Sequence, residues 1–139
     1  MKLLTVAILI IASILPSLLW ANDHPELAVL KGLTQTTQGS TRVQAYITYS
    51  KALSEHNNIQ AVREAEEALK LSRSTPGNPA LEATSLINYL ERCLDFFSIN
   101  KAEEQLPQVH VLTSLVSDSS RFKLVVLAAR THLLAGQYL

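Results

Sequence analysis

Four histidines and one cysteine are the side chains of this 139-residue chain that most readily bind metals or act as nucleophiles. Zinc ligands on a helix follow short spacings such as His-x-x-x-His or His-Glu-x-x-His, which place two imidazoles on one face. Neither pattern occurs in the sequence. The spacing therefore predicts no metal site, and it predicts four surface or partly buried histidines: His24, His56, His110 and His132.

Cys93 is the single cysteine, so the chain cannot close an internal disulfide or build a site from several thiolates. A nucleophilic cysteine needs a nearby base or positive charge that stabilises its thiolate. Arg92 is adjacent in sequence, but successive side chains on a helix point about 100° apart. We therefore expect Cys93 to be a small buried hydrophobic residue.

Adjacent glutamates occur twice, at Glu66-Glu67 and at Glu103-Glu104. Neighbouring side chains on a helix diverge, so neither pair can converge on one substrate, and the i,i+4 spacing pairs Glu66 with Lys70 instead. The sequence also lacks the Gly-x-Ser-x-Gly, Ser-x-x-Lys and phosphate-loop patterns. These observations predict a protein that is not an enzyme, with no catalytic residue and no cofactor.

The overall composition limits the class of protein further. The chain carries 12 basic and 12 acidic side chains, and 47% of its residues are hydrophobic. A balanced charge provides no electrostatic footprint for nucleic acid, so no nucleic-acid partner is expected. The length fits one domain.

Residues 1–21 have the layout of a secretory signal peptide. Lys2 gives the positive start, an apolar run follows, Pro16 interrupts it, and Ala21 is the small residue before the cut. Cleavage after Ala21 is the favoured interpretation. An uncleaved anchor is the alternative, because residues 3–21 are just long enough to cross a bilayer. In both cases the rest of the chain is exported, and the bacterial periplasm is the expected location.

Helical spacing of apolar residues dominates the chain after residue 40 and predicts five helices. Thr41 is the expected cap of the first helix, Pro107 is expected to kink the fourth, and Gly136 is expected to end the fifth. Residues 22–41 are predicted to form an N-terminal segment, with a short helix through Leu30 followed by a loop. The five predicted helices cover residues 42–55, 59–72, 80–97, 99–116 and about 120–135.

The helices repeat when Asn57, Ser98 and Gln137 are aligned as equivalent corners, 41 and 39 residues apart. Four, eight and twelve residues before the corners, three columns of residues then align: Leu53, Leu94 and Leu133; Tyr49, Leu90 and Ala129; Ala45, Leu86 and Val125. One pair of helices cannot bury both of its apolar faces, so neighbouring pairs must pack together. An irregular helical bundle with chance matches is the alternative.

Ala61, Ala65 and Ala68 resemble the small positions in the second helix of a tetratricopeptide-type repeat, and Gly136-Gln137-Tyr138 resembles the turn between its two helices. The resemblance covers residues 42–139. It implies an all-α fold in which about two and a half repeats, each of about 40 residues, form a right-handed stack of antiparallel helix hairpins. The partner of the fifth helix is missing, so this helical-repeat domain is expected to be truncated.

The signal-led arrangement of long repeats also resembles the exported input regions of bacterial signalling proteins, notably diguanylate cyclases and sensor kinases. This resemblance implies a protein-interaction or sensory-input module, and a chain that is the N-terminal fragment of such a protein. Two alternatives remain open. One is a periplasmic structural adaptor of an envelope complex, and the other is a small exported metal-handling protein or enzyme built around Cys93 and the histidines.

In repeats of this type the first helices line a groove, and residues three, seven and eleven before each corner tend to face it. A mixed polar and aromatic stripe there suits an extended peptide or a helix with opposite charges. The expected partner is therefore a protein or peptide, and the membrane is contacted only through the N-terminal segment or a missing C-terminal part. The candidate partner-groove residues are Tyr46, Ser50, Ser54, Ile87, Glu91, Asp95, Val126 and Arg130.

Overall fold

A computed structural model describes residues 24–137, which form seven helices and no strand. The all-α prediction is confirmed. The predicted signal peptide lies outside the described residues, as do Tyr138 and Leu139. Between residues 24 and 137, no helix is both long and apolar enough to span a membrane. The helices are α1 (Pro25–Thr36), α2 (Gly39–Glu55), α3 (Gln60–Arg73), α4 (Pro79–Asp95), α5 (Ile99–Glu103), α6 (Leu106–Thr113) and α7 (Asp118–Gln137).

The first helix is longer than predicted. α1 continues to Thr36, and only two residues separate it from α2, where a long loop was expected. Its last carbonyl groups find donors that the sequence pattern did not reveal. Arg42 Nε donates to the Thr34 carbonyl at 2.9 Å, and the Thr37 hydroxyl donates to the Leu33 carbonyl at 2.6 Å. These bonds satisfy the end of α1 and bring α2 directly against it.

The boundaries of α3 and α4 lie close to their predicted positions. Pro79 begins α4, and the Asn78 side chain accepts a hydrogen bond from the Leu81 amide at 3.0 Å, which caps the helix. The start of α2 differs from the prediction. Gly39 is its first residue and Thr41 lies inside it, so Thr41 is not the cap.

Pro107 breaks the predicted fourth helix instead of kinking it. α5 ends at Glu103 and α6 begins at Leu106, so Pro107 lies in the first turn of a new helix. A proline is tolerated there because the amide it lacks would have no intrahelical acceptor. The prediction for Gly136 is also wrong, because α7 continues through that residue to Gln137.

The turns after α2 and α4 have the same geometry. Asn57 and Phe97 have positive φ angles of 52° and 54°. One residue later, the Asn58 amide donates to the Leu53 carbonyl at 3.0 Å and the Ser98 amide to the Cys93 carbonyl at 2.8 Å, the bonding of a Schellman turn. Equivalent turn positions are therefore 40 residues apart.

This spacing corrects the predicted alignment of Asn57 with Ser98 by one residue. The difference arises because α3 starts three residues after Asn57, whereas α5 starts two residues after Phe97. In the corrected register Cys93 corresponds to Leu53, and both side chains are fully buried.

Buried apolar side chains form three clusters. The largest joins α3, α5, α6 and α7 around α4, the second lies where α1, α2 and α3 meet, and the third lies between α2, α3 and α4. Ala61, Ala65 and Ala68 are fully buried, one in each cluster. Side chains this small let α3 approach its neighbours closely.

Candidate functional site

The predicted partner groove is closed over much of the contact between α2 and α4. Ser50 is fully buried, so it cannot line an open surface. Its hydroxyl donates to the Ile47 carbonyl at 2.9 Å and accepts a hydrogen bond from Asn88 Nδ2 at 2.8 Å. The prediction for Ser50 is wrong because the side chain serves as an internal contact between two helices.

A second polar contact joins the C-terminal ends of the same two helices. The Ser54 hydroxyl donates to Asp95 Oδ2 at 3.3 Å, and Arg92 Nη2 lies 3.2 Å from the same oxygen. Arg92 also lies 3.5 Å from Glu91 Oε2. Three predicted groove residues, Ser54, Glu91 and Asp95, are therefore engaged with partners within the chain.

The face of α4 that meets α2 carries buried polar atoms that sequence reasoning missed. Ser85 Oγ, Asn88 Oδ1 and Arg92 Nε are buried and have no hydrogen-bond partner among the described residues. Their positions follow i, i+3 and i+7, which puts them on one side of the helix. The apolar pattern predicts the helix, but it does not report where a few polar residues enter its packed face.

The other predicted residues on α2 and α4 are half-buried. The Arg42 guanidinium lies over the Tyr46 ring, 5.9 Å from its centroid, and Ile87 packs against the largest cluster. Among the predicted groove residues, Val126 and Arg130 of α7 are exposed, and so is Asp95 at the end of α4.

α7 has two apolar faces on opposite sides. The inner face is buried against α4, α5 and α6 and consists of Leu124, Leu127, Thr131 and Ala135. We define the outer face by the exposed residues Phe122, Val125, Val126, Ala129 and Leu133. Phe122 is 70% exposed and Leu133 is 64% exposed. The spacing of the outer face is i, i+3, i+4, i+7 and i+11, which covers three turns of one side of a helix.

The two faces of α7 contradict the predicted columns. Val125, Ala129 and Leu133 were aligned with buried residues of α4, but all three are exposed. The buried positions of α7 lie 41 residues after Ala83, Leu86, Leu90 and Leu94, two residues further along than the predicted columns placed them. Because the helix is apolar on both sides, its sequence does not indicate which side faces the core.

Basic side chains flank one edge of the outer face. Lys123 and Arg130 are exposed, are seven residues apart, and have no ion-pair partner among residues 24–137. Arg121 is different, because its Nε donates to the Thr113 carbonyl at 2.7 Å and its Nη1 lies 3.2 Å from Asp118. The free positive charges of α7 therefore lie beside its exposed apolar residues.

Cys93 is fully buried beneath the turn that ends α4. Burial raises the pKa of its thiol to about 11, and a hydrogen bond with Tyr89 partly opposes that shift. The thiolate is therefore scarce at neutral pH, which does not favour nucleophilic chemistry at this residue.

The acidic residues of α3 form surface ion pairs. Lys70 Nζ lies 3.5 Å from Glu66, as the i,i+4 spacing predicts, and 2.9 Å from Glu67. The hydrogen bond to Glu67 raises the pKa of Lys70. Lys101 of α5 lies 3.3 Å from Glu66, so the same carboxylate also joins two helices.

Two histidines that are distant in the sequence lie side by side. His24, just before α1, and His56, just after α2, have ring centroids 3.9 Å apart. His24 Nδ1 and His56 Nε2 each lie 3.3 Å from Glu26 Oε1. Helical spacing could not reveal this group, because 32 residues separate the imidazoles. His110 and His132 are exposed elsewhere on the surface.

A pocket of about 470 Å³ lies at the turn between α4 and α5. Phe97, Ile99 and Lys101 line one side and Ala135 of α7 lines the other. Phe97 is 72% exposed, and the pocket meets α7 at Ala135 of its inner face, on the side away from the outer face.

Comparison of the chain with protein-family models, with curated proteins and with solved structures found no match.

Proposed function

We propose that the chain is a non-enzymatic protein-interaction module built from tetratricopeptide-like helix pairs, and that it binds an amphipathic helix of a partner protein. The observation that carries this proposal is the outer face of α7. A row of exposed apolar residues that spans three turns is unusual on a solvated helix, and apolar surface of this kind marks interaction sites.

The spacing of the outer face favours a helix as the partner. Residues at i, i+3, i+4, i+7 and i+11 form the stripe that one amphipathic helix presents to another. The stripe from Phe122 to Leu133 is about 16 Å long. A partner helix of four to five turns covers that length.

The flanking charges favour an acidic partner. Lys123 and Arg130 lie on the same edge of the stripe, where acidic side chains of a docked helix would face them. A second copy of α7 packed antiparallel against the first would bring these positive charges together and would be disfavoured. The proposed occupant is therefore an acidic amphipathic helix of another protein.

The repeat architecture is part of the same proposal. The equivalent turns at Asn57 and Phe97, 40 residues apart, support two similar units in sequence. Helix contacts between elements that are near one another in the chain, and a core divided into three clusters, support neighbours packed in a row. We propose that these units stack as in tetratricopeptide-type proteins.

We also propose that the module is exported and acts in the bacterial periplasm, as the input region of a signalling protein or as an adaptor. The layout of residues 1–21 supports export. The intact mass of the chain isolated from a periplasmic extract tests this part, because cleavage after Ala21 makes Asn22 the first residue. A chain found only in the cytoplasmic fraction would contradict it.

Binding is tested with two synthetic amphipathic peptides whose apolar residues are identical. In the first peptide glutamates flank the apolar stripe, and in the second lysines flank it. Fluorescence anisotropy with the purified chain should show binding of the acidic peptide only. Leu133→Glu should weaken that binding about tenfold or more, because it places a charge within the proposed apolar contact. Val29→Glu is the matched control, since Val29 is equally exposed on α1.

Two further substitutions test the role of the flanking charges. Lys123→Glu combined with Arg130→Glu should weaken binding of the acidic peptide and strengthen binding of the basic one. Equal binding of both peptides, or no response to Leu133→Glu, would overturn the proposal. Self-association through α7, detected by sedimentation equilibrium and abolished by Leu133→Glu, would overturn it in favour of a dimer.

A further inference from the structure

The side chains of His24, Glu26 and His56 converge at one end of the α1 and α2 pair. His24 precedes α1, Glu26 lies in its first turn, and His56 follows the last residue of α2. One ligand atom from each side chain lies within 4.8 Å of the others. The side chains are 29%, 54% and 30% exposed, so ions in solution can reach them.

We propose that His24, Glu26 and His56 form a binding site for a divalent transition-metal ion of the zinc class. Two imidazoles and one carboxylate are an established zinc ligand set, and three protein ligands leave one coordination position for water or a further ligand. The proposal rests on these three residues alone and is independent of the partner proposed for α7.

The distances between the ligand atoms fit a tetrahedral ion. Zinc bonds to nitrogen and oxygen are about 2.0–2.2 Å long, so neighbouring ligand atoms of a tetrahedral site are about 3.3 Å apart. His24 Nδ1 and His56 Nε2 both lie 3.3 Å from Glu26 Oε1. Two of the three edges therefore already have the required length, and the third is at most 4.8 Å.

The fold holds the three residues in place by separate means. The Leu27 amide bonds to the His24 carbonyl at 3.1 Å, which fixes the entry into α1, and Leu27 is buried beside α2. The His56 amide bonds to the Leu53 carbonyl at 3.2 Å within the turn after α2. A bound ion would therefore join the start of α1 to the end of α2.

Zinc binding is tested with the purified full chain carrying no histidine tag, by competition against a chromophoric chelator. We expect one Zn²⁺ per chain. His24→Ala and His56→Ala should each weaken binding about 100-fold or more, and Glu26→Gln about tenfold or more, since removal of a ligand exceeds the effect of removing an outer-shell partner. His110→Ala and His132→Ala are matched controls and should leave the affinity unchanged.

Cobalt gives a second measurement at the same site. Co²⁺ in a tetrahedral site has strong visible absorption bands, so titration with Co²⁺ should produce them in the parent chain and not in His56→Ala. Circular dichroism of each variant checks the fold. His24 precedes the first helix, so His24→Ala still tests the proposal if His56→Ala alters the turn.

Two results would overturn the proposal. One is the absence of saturable Zn²⁺ binding, or binding that His56→Ala leaves unchanged. The other is metal binding through the amino terminus. The predicted cleavage after Ala21 would make His24 the third residue of the chain. An amino-terminal chain with histidine at its third position binds Cu²⁺ in a plane of four nitrogen ligands. Metal binding that requires His24 and a free amino terminus but not His56 would show that chelate instead.

Discussion

α4 and α7 are both rich in apolar residues, yet their surroundings differ. α4 contacts α2, α3, α5, α6 and α7 and buries nine of its 17 residues. α7 contacts α4, α5 and α6, all on its inner face. Within the described part of the chain, α4 has neighbours on several sides and α7 on one side.

Among the described residues, the two helices differ in the kind of side chain that packing leaves without a partner. In α4 the unsatisfied groups are polar, because Ser85, Asn88 and Arg92 carry buried atoms for which the packed neighbours supply no partner. In α7 the side chains without packed neighbours are apolar, because Phe122 and Leu133 are exposed to solvent. A partner protein can cover the exposed apolar side chains of α7 but cannot reach the buried polar atoms of α4. α7 therefore offers the apolar surface that a partner protein can cover.

The largest expected effect separates the inner face of α7 from its outer face. Leu124→Ala should lower the free energy of unfolding by about 2–5 kcal/mol, because it leaves a cavity where a fully buried side chain was. Leu90→Ala in α4 should cost the same. Leu133→Ala should change it by less than about 0.5 kcal/mol, since the side chain is 64% exposed.

Denaturant unfolding followed by circular dichroism measures the three variants of this first experiment. Equal costs for Leu124→Ala and Leu133→Ala would mean that the outer face is buried in solution, by self-association or by a segment outside residues 24–137. The comparison between α4 and α7 would then no longer hold.

The sequence predicts the positions of the helices better than it predicts which of their faces are buried. Helix positions follow from periodic apolar residues, but at Pro107 the sequence predicted a kink where the structure has a break between α5 and α6. The face that α7 turns to the core does not follow, because both of its sides are apolar and only tertiary contacts choose between them. A two-residue error in the register between α4 and α7 was therefore enough to put Val125 in the predicted core in place of Leu127.

A smaller effect tests the polar contact between α2 and α4. Ser50→Ala removes the acceptor of Asn88 Nδ2, so a fully buried amide loses its hydrogen bond, and stability should fall by about 1–3 kcal/mol. Asn88 Oδ1 already has no partner among the described residues. Replacement of both groups, as Ser50→Ala with Asn88→Leu, should therefore be less destabilising than Ser50→Ala alone.

Ser54→Ala is the control for this polar pair, because the Ser54–Asp95 bond is exposed and should contribute less than about 0.5 kcal/mol. A double variant that is less stable than Ser50→Ala would show that Asn88 supports the interface by more than its bond to Ser50. α4 would then depend on polar contacts to a greater extent than the comparison with α7 assumes.

The histidine group illustrates a different limit of sequence reasoning. Spacing rules find ligands that one helix presents, but His24 and His56 come from opposite ends of two helices that pack together. Their approach depends on the two-residue link between α1 and α2, where the sequence predicted a longer loop. Sites made by tertiary contacts of this kind require the packing to be known first.

The smallest expected effect compares the two equivalent turns. Phe97 has a positive φ angle that costs a bulky residue about 1 kcal/mol, whereas Asn57 tolerates the same angle. Phe97→Gly should therefore stabilise the chain by about 0.5–1 kcal/mol, and Asn57→Gly should change stability by a few tenths. Both are measured by thermal unfolding. Loss of stability in Phe97→Gly would show instead that the ring packs on the rim of its pocket.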